Sequence, residues 1–294
     1  SSAASDVYKR QAYHHGKKVL LVDIDPQTNL TFLCVFLKSW EEFKSKNGTI
    51  LTLYRNYEKG KGLNVSRCIW QNPVGHDRFT KINNLDLLPC DIDLLGEDIM
   101  LRLSSPVSGI SPFEKLQRDA KKALRPYLFL KKVLGEVKER YDYILIDCPP
   151  NLYMMTQNAL IASDYYVITT IPEHLSLIGL RILMRKVGEI GEKIEKLAVL
   201  AGKKVKIAEL GGIIFVKVRI GGSLITKQHE GNMKDIRDVF NNLCFNTYTT
   251  ELIGYSEAAA HQLPVWLVDT ENAKRAARKL EYEKITNEFL RRFP

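Results

Sequence analysis

Short apolar runs alternate along the chain with longer segments in which apolar residues recur every three or four positions. Short runs of this kind are typical of buried strands, and the longer period is typical of helices with one buried face. The pattern predicts a strand from Val19 and strands over 85–89, 143–147, 165–171, 211–218 and 263–268. It predicts a helix start at 91–95 and helices over 127–140, 151–162, 175–200, 225–243 and 273–293. Strands that alternate with helices predict an α/β fold, a single domain with a mostly parallel twisted sheet covered by helices on both faces.

The amino-terminal residues differ from the rest of the chain. Residues 1–11 show neither the two-residue apolar period of a strand nor the 3.6-residue period of a helix. They join abruptly to the segment that begins at Ala12, so they are predicted to be a tail foreign to the fold. The folded unit is then expected over 12–294, with 30–81 as a variable peripheral segment because its helical period is mixed with lysines. A strand buried on both faces is an unusual first element of a sheet, so a further element is expected ahead of Val19.

Composition narrows the class of protein. The 294 residues are 45% hydrophobic and 26% charged, enough for one domain with a large core. The five cysteines stand singly, without the paired spacing of a zinc site, and their odd number argues against a disulfide framework. No apolar run approaches the roughly 18 residues that a membrane span needs, so we expect a soluble, cytoplasmic protein. The net charge of +9 suits a surface for phosphate backbones and an ordinary basic surface equally well.

Acidic residues come directly after two of the predicted strands. One strand reads Val-Leu-Leu-Val-Asp-Ile-Asp-Pro-Gln over 19–27, and the other reads Ile-Leu-Ile-Asp-Cys-Pro-Pro over 144–150. Open parallel sheets bind ligands at the carboxyl ends of their strands. Asp147 therefore stands where a carboxylate can hold Mg²⁺ through water beside a phosphate. A proline ends the first strand, so Asp25 can turn toward a terminal phosphate and orient a water, while Asp23 can reach the hydration shell of the metal.

Two other kinds of site have weaker support in the same sequence. A dinucleotide-binding fold places an acid at the end of its second strand, but no Gly-x-Gly-x-x-Gly occurs in the chain. The six histidines show no metal-ligand spacing, so no metal other than Mg²⁺ is expected.

Several segments together match the pattern of one known family. The longest are Gly-Lys-Lys-Val-Leu-Leu-Val-Asp-Ile-Asp-Pro-Gln-Thr-Asn over 16–29 and Tyr-Asp-Tyr-Ile-Leu-Ile-Asp-Cys-Pro-Pro over 141–150. Further landmarks occur in the family's order, namely Leu-Asp-Leu-Leu-Pro over 85–89, Pro172-Glu173, Ser-Glu-Ala over 256–258 and Pro264-Val265. From Ala12 onward the chain thus resembles the ParA and MinD group of deviant P-loop ATPases, and more closely the ParA or Soj branch used in plasmid and chromosome partition.

The resemblance implies a P-loop NTPase fold and an ATP-dependent cycle. In that family, ATP and Mg²⁺ support a sandwich homodimer that binds DNA non-specifically, and a ParB-like centromere-binding partner stimulates hydrolysis. The resemblance further implies that Asp25 positions the attacking water, that Asp147 and Asp23 serve Mg²⁺, and that Pro149 and Glu173 contact the nucleotide. The implied location is the nucleoid in a prokaryotic cytoplasm.

The chain departs from the family at the phosphate loop. The segment Lys-Gly-Gly-x-Gly-Lys-Thr, whose backbone and lysines bind phosphates, does not occur in the printed sequence. The chain as printed is therefore expected to bind Mg-ATP very weakly and to be inactive, whereas the intact protein is expected to be an ATP hydrolase. A non-hydrolysing ParA-like binding protein is the alternative.

Two surface features leave alternatives open. Lys217, Arg219 and Lys227 cluster near a strand end, where they either meet DNA phosphates or form an ordinary solvated face. The last helix ends in Phe-Leu-Arg-Arg-Phe, as a membrane-targeting amphipathic helix does, which would suit a MinD-like membrane-associated positioning ATPase. The three glutamates of this helix favour docking on the core instead.

Overall fold

The computed structural model describes residues 15–73, 82–96, 112–221, 224–251 and 273–294. The predicted tail at 1–11 and the predicted strand at 263–268 lie outside these residues. The division into a tail, a folded unit over 12–294 and a peripheral segment over 30–81 stays a prediction.

The strand from Val19 lies inside a four-stranded sheet. β1 (Val19–Asp23) pairs in parallel with β3 (Leu85–Leu88) on one side and with β4 (Tyr143–Asp147) on the other. β2 (Trp70–Gln71) adds a two-residue antiparallel edge beside β3. All five residues of β1 are buried, as expected for a parallel strand with neighbours on both sides.

A second sheet has three strands in the order β5, β6, β9. Its members β5 (Tyr165–Thr170), β6 (Glu209–Val218) and β9 (Cys244–Thr250) are parallel to one another. A short hairpin of β7 (Ile220–Gly221) and β8 (Leu224–Ile225) comes after β6. Mostly parallel strands with helices between them confirm the predicted α/β class.

Helices connect the strands and cover the sheets. In the parts of the chain that the structure describes, the α-helices are α1 (Asn29–Phe32), α2 (Leu37–Asn47), α3 (Ile50–Glu58), α4 (Val65–Cys68), α5 (Pro112–Leu124), α6 (Phe129–Gly135), α7 (Met154–Ala162), α8 (Ser176–Leu200), α9 (Lys227–Phe240) and α10 (Ala273–Arg292). Short 3₁₀ helices lie at Ile92–Gly96, Arg125–Leu128, Lys138–Arg140 and Asn241–Leu243. The first helices pack on both faces of the first sheet, with Trp40 buried on one face and Tyr54 on the other.

The structure differs from the predicted pattern at three elements. The predicted helix over 127–140 is interrupted, because a 3₁₀ helix containing Pro126 precedes α6 and a second one succeeds it. The apolar pattern does not predict α5, in which charged residues separate the few apolar ones. It does not predict β9 either, since that strand is mostly polar.

The last helix docks on the core, which confirms the prediction for it. α10 buries Tyr282, Ile285 and Phe289 against Ile214 and Phe245 of the second sheet. An apolar face that is buried in the protein does not face a membrane surface. None of the described helices combines the length and the apolar content that crossing a bilayer requires.

Glu288 connects α10 to the edge strand β9 through hydrogen bonds. Its buried carboxylate accepts the backbone N–H groups of Asn246 and Thr247, both at 2.9 Å, and lies 2.9 Å from the guanidinium of Arg292. Burial alone raises the pKa of Glu288, but the hydrogen bonds from Asn246, Thr247 and Arg292 outweigh burial, so the pKa lies below its usual value. The carboxylate therefore stabilises the fold in its charged form.

Glu288→Gln is expected to lower the free energy of unfolding by about 2 kcal/mol at neutral pH, because charge-assisted hydrogen bonds are lost. The pKa of Glu288 is lower in the folded than in the unfolded chain, so the stabilisation is complete above the unfolded pKa and disappears as the pH falls through the folded one. Urea unfolding from about pH 3 to about pH 7 measures both effects.

Glu195→Gln is the matched control for this measurement. Glu195 is an exposed glutamate on α8, and no ion pair of its side chain occurs among the described residues. Its replacement should leave unchanged both the free energy of unfolding at neutral pH and the loss of stability as the pH falls. Equal losses in the two variants would contradict the role given to Glu288.

Candidate functional site

β1 and β4 end side by side at carboxylates. Asp23 and Asp147 are register partners at the last paired position of the two strands. The next residue, Ile24, donates its N–H to the backbone oxygen of Asp147 at 3.1 Å. The structure thus brings together the two aspartates that the sequence places at strand ends.

Asp23 is fully buried, and both of its oxygens are already hydrogen bonded. Oδ2 accepts the N–H of Thr31 at 2.8 Å and its hydroxyl at 2.6 Å, and Oδ1 accepts the N–H of Asp25 at 3.1 Å. Burial raises the pKa of Asp23 to about 7, and the charge of Asp147 adds to the rise, while the bonds from Thr31 and Asp25 oppose it. Asp23 therefore organises the backbone immediately after β1.

A tight turn carries Asp25 out of the strand. The N–H of Thr28 donates to the backbone oxygen of Asp25 at 2.8 Å, and the N–H of Gln27 donates to Asp25 Oδ1 at 3.0 Å. Pro26 occupies the second position of this turn, where its fixed φ is favourable. Thr28 then adopts a left-handed backbone (φ 57°), which costs a β-branched residue about 1 kcal/mol or more. β1 accordingly ends before Asp25, as the proline predicts.

Asp147 is half-buried, and its charge interacts with that of Asp25. Burial raises the pKa of Asp147 to about 6, and the negative charge of Asp25 acts in the same direction. Carboxylates that repel one another at one edge favour a cation beside them. In the described parts of the chain, no group of three or more acidic, histidine or cysteine side chains forms a complete metal site. The donor set suits a hard cation that keeps much of its own water, as Mg²⁺ does.

Thr31 is a site residue whose role the sequence pattern does not predict. Besides its two bonds to Asp23, its hydroxyl oxygen accepts the N–H of Cys90 at 3.1 Å, just after β3. Thr31 is fully buried, so this hydroxyl joins the ends of β1 and β3 in the interior. The only sequence signal is its position two residues after the Asp-Pro-Gln-x-Asn segment, and that position does not reveal the contact with Cys90.

Thr31→Val is expected to lower the free energy of unfolding by about 2 kcal/mol, because Asp23 loses a donor and the N–H of Cys90 loses its acceptor. Thr31→Ser keeps the hydroxyl and removes one methyl group, so its cost should stay below about 1 kcal/mol. Chemical denaturation of the two variants measures the difference. A valine variant as stable as the serine variant would show that the hydroxyl is unimportant.

The other two residues of the predicted nucleotide site lie in loops after strands. Pro149 is half-buried after β4, where its backbone oxygen accepts the N–H of Asn151 at 2.8 Å. Glu173 is exposed after β5, and its carboxylate lies 4.0 Å from the guanidinium of Arg219. Among the described residues, no hydrogen bond or ion pair joins Glu173 to the three aspartates.

The three predicted DNA residues surround the end of β6. Lys217 is exposed and has a left-handed backbone (φ 53°), and Lys227 is the exposed first residue of α9. Arg219 lies 3.0 Å from a carboxylate oxygen of Glu251 and 4.0 Å from one of Glu173. The guanidinium of Arg219 is thus shared with two acids, whereas the two lysines extend into solvent.

The mostly parallel sheets with flanking helices give the chain a P-loop NTPase fold of the ParA/MinD type, which solved structures share. Apo McdA from Cyanothece has this fold, with a TM-score of 0.64 at 19% identity over 98% of this chain and 94% of that one. Cobyrinic acid a,c-diamide synthase from Mycobacterium smegmatis, solved with an ATP analogue and magnesium, gives a TM-score of 0.57 at 19% identity over 89% of this chain and 84% of that one.

Sequence comparison identifies the family. The family model described as AAA domain matches residues 10–199. The chromosome-partitioning ATPase Soj of Treponema pallidum is 30% identical over 277 residues, which are 94% of this chain and 87% of that protein. The chain belongs to the AAA domain family and, within it, to the ParA/Soj-type partition ATPases. Both the predicted fold class and the predicted family are confirmed.

Proposed function

We propose that the chain is the nucleotide-binding domain of an ATP-dependent DNA partition ATPase. The ATP-bound protein forms a homodimer that binds DNA non-specifically, and a ParB-like centromere-binding partner stimulates hydrolysis and release. The proposed location is the nucleoid in a prokaryotic cytoplasm. Membership of the ParA/Soj-type family supports this cycle. The observation that carries it is the convergence of Asp23, Asp25 and Asp147 at one edge of the first sheet.

Each aspartate has its own proposed role. Asp147 holds Mg²⁺ through water, and Asp25 orients the water that attacks the terminal phosphate. Asp23 adds its charge to the surroundings of the metal and holds the N–H of Asp25 in place. Pro149 and Glu173 are proposed to contact the nucleotide. When bound, Mg²⁺ supplies the positive charge that offsets the phosphates.

A phosphate-binding loop is required in addition to these residues. We infer that the chain without such a loop binds Mg-ATP only weakly. A version in which a strand, a Gly-x-Gly-Lys-Thr loop and a helix precede Ala12, the loop-containing version, is proposed to bind and hydrolyse ATP. A non-hydrolysing ParA-like binding protein is the alternative, and it predicts no turnover in either version.

Lys217 and Lys227 are the proposed DNA contacts, because both are exposed and stand close to the end of β6. Arg219 lies between them in the chain, with its guanidinium already beside Glu173 and Glu251. Exposed ion pairs are weak, so phosphates are able to compete for Arg219 as well. The lysines are therefore the cleaner targets for a test.

ATP is expected to increase the retention of the loop-containing version on non-specific DNA. Lys217→Gln combined with Lys227→Gln should weaken this binding roughly tenfold. The slope of log K against log [salt] should become less steep by about two, since each phosphate contact contributes about 0.9 to it. Lys131→Gln combined with Lys193→Gln, two exposed lysines elsewhere, is the control. DNA retention that does not respond to ATP would contradict the partition cycle.

A further inference from the structure

The three residues that come after β3, Pro89, Cys90 and Asp91, are all buried. β1 and β3 run in parallel and pair as far as Val22 and Leu88. These three residues, the 89–91 segment, therefore lie at the same edge of the first sheet as the residues that end β1. Backbone groups buried at such an edge need hydrogen-bond partners, which have to come from neighbouring elements.

Helices α2 and α3 supply a partner to each residue of the 89–91 segment. The N–H of the first residue of α3 donates to the backbone oxygen of Pro89 at 3.1 Å. The indole N–H of Trp40, in α2, donates to the backbone oxygen of Cys90 at 3.1 Å. The ammonium group of Lys44, also in α2, lies 2.8 Å from the carboxylate of Asp91. Helices from the segment over 30–81 thus hold the end of β3.

The indole of Trp40 is packed from more than one neighbour. The side chain is buried, and the ring of Phe32 meets it edge-on with the ring centroids 5.5 Å apart. The ammonium group of Lys44 lies 4.9 Å from the centroid of the indole ring. Both contacts favour one orientation of the indole, so its N–H stays on the backbone oxygen of Cys90.

A series of buried hydrogen bonds leads from Trp40 to Asp25. The N–H of Cys90 donates to Thr31 Oγ1 at 3.1 Å, and that hydroxyl donates to Asp23 Oδ2 at 2.6 Å. The other carboxylate oxygen of Asp23 accepts the N–H of Asp25 at 3.1 Å. All five residues are buried, where a polar group that loses its partner is not readily compensated by water.

The hydroxyl of Thr31 gives this series a fixed direction. A hydroxyl has one proton, and Thr31 donates it to the carboxylate of Asp23, so the N–H of Cys90 has to meet a lone pair of the same oxygen. A displacement of Cys90 therefore moves the hydroxyl that holds Asp23, and Asp23 in turn holds the backbone at Asp25.

We propose that Trp40 is a positioning residue for Asp25, acting through Cys90, Thr31 and Asp23. The consequence for catalysis rests on the proposed function, in which Asp25 orients the attacking water, whereas the series of hydrogen bonds does not depend on it. Misplacing an orienting group lowers turnover more than it weakens binding. Loss of the indole N–H is therefore expected to lower kcat and to leave the KM for ATP nearly unchanged.

Hydrogen exchange on the 294-residue chain, without nucleotide, tests the link between Trp40 and Asp25. Trp40→Phe keeps an aromatic ring and removes the N–H. The amide of Asp25 is expected to exchange at least about fivefold faster relative to the amide of Leu21, which reports on the opening of β1 itself. Trp70→Phe is the matched control, because Trp70 lies in the same 30–81 segment and stacks on Phe43 at 4.5 Å. This control should leave the ratio of the two rates unchanged.

Thr31 variants test the link from its other end, in a chain that keeps Trp40. Thr31→Val removes the hydroxyl between Cys90 and Asp23. The indole N–H of Trp40 is then expected to exchange at least about threefold faster relative to the amide of Leu21. Thr31→Ser keeps the hydroxyl and should exchange as the unchanged chain does.

Turnover of the loop-containing version tests the consequence for Asp25. Trp40→Phe is expected to lower kcat about tenfold and to leave the KM for ATP within about twofold. In a Thr31→Val background the same change should cause no further loss, because the series is already broken. In a Thr31→Ser background its effect should persist.

Two results would overturn the proposal. One is an equal rise in exchange at Asp25 and Leu21 in Trp40→Phe, or no rise at all, which would make Trp40 an ordinary core residue. The other is a loss of turnover from Trp40→Phe that simply adds to the loss from Thr31→Val. A loop-containing version without any turnover would contradict the proposed function, and the exchange rates would still decide whether Trp40 holds Asp25 in place.

Discussion

Asp25→Asn is expected to lower the ATP turnover of the loop-containing version by about 100-fold or more, while ATP binding stays within a few-fold of the unchanged protein. The asparagine oxygen can still accept the N–H of Gln27, so the turn after β1 is preserved. The carboxylate charge that orients the attacking water is lost. Steady-state phosphate release measures turnover, and equilibrium binding of a fluorescent ATP analogue measures affinity.

Asp142→Asn is the matched control for Asp25→Asn. Asp142 also accepts a backbone N–H, that of Lys18 at 2.7 Å, but it lies at the opposite end of β4 from Asp147. Its replacement removes the same charge from the same sheet and should leave turnover unchanged. Equal losses in the two variants would trace the effect to net charge or to stability, and would remove Asp25 from the proposed role.

Asn158→Ala is expected to lower the free energy of unfolding by about 3 to 4 kcal/mol. Asn158 is buried in α7, and its Oδ1 accepts the N–H of Leu130 at 3.1 Å. Its Nδ2 donates to the backbone oxygens of Pro126 at 2.9 Å and of Met154 at 3.0 Å. Alanine leaves the N–H of Leu130 and the oxygen of Pro126 buried without this partner. Urea denaturation measures the loss, and the dependence of the unfolding free energy on urea concentration should stay unchanged.

Thr156→Val provides the contrast on the same helix. Thr156 is also buried, but within the described residues its hydroxyl has no hydrogen-bond partner. Valine has a similar shape and no hydroxyl to desolvate, so this change should be neutral or stabilise by up to about 1 kcal/mol. A similar destabilisation in both variants would mean that shape, and not hydrogen bonding, governs the contribution of Asn158.

The strands of the first sheet and its carboxylate edge are predictable because their signals are local. β1 and β4 are apolar runs that end in aspartate, so Asp23 and Asp147 are identified from adjacent residues alone. Pro26, next to Asp25, predicts that the strand ends before Asp25. The same local logic predicts α10, whose apolar period continues almost to the end of the chain.

Other features depend on contacts between distant residues and leave no local signal. β9 is polar, and it is held by Glu288, which lies 42 residues after Asn246. Thr31 acts through Cys90, which lies 59 residues later. The division of the strands into two sheets is a matter of pairing order, and apolar periodicity does not encode that order.

Calorimetric titration of the loop-containing version with ATP, in Mg²⁺ and in EDTA, tests the proposed Mg²⁺ site at the carboxyl ends of β1 and β4 most directly. The account predicts that binding depends on Mg²⁺, and that Asp147→Asn weakens it by about tenfold or more while Asp142→Asn leaves it unchanged. ATP binding that is equally tight in EDTA, or equally tight in Asp147→Asn, would contradict a nucleotide site at the carboxylates of β1 and β4.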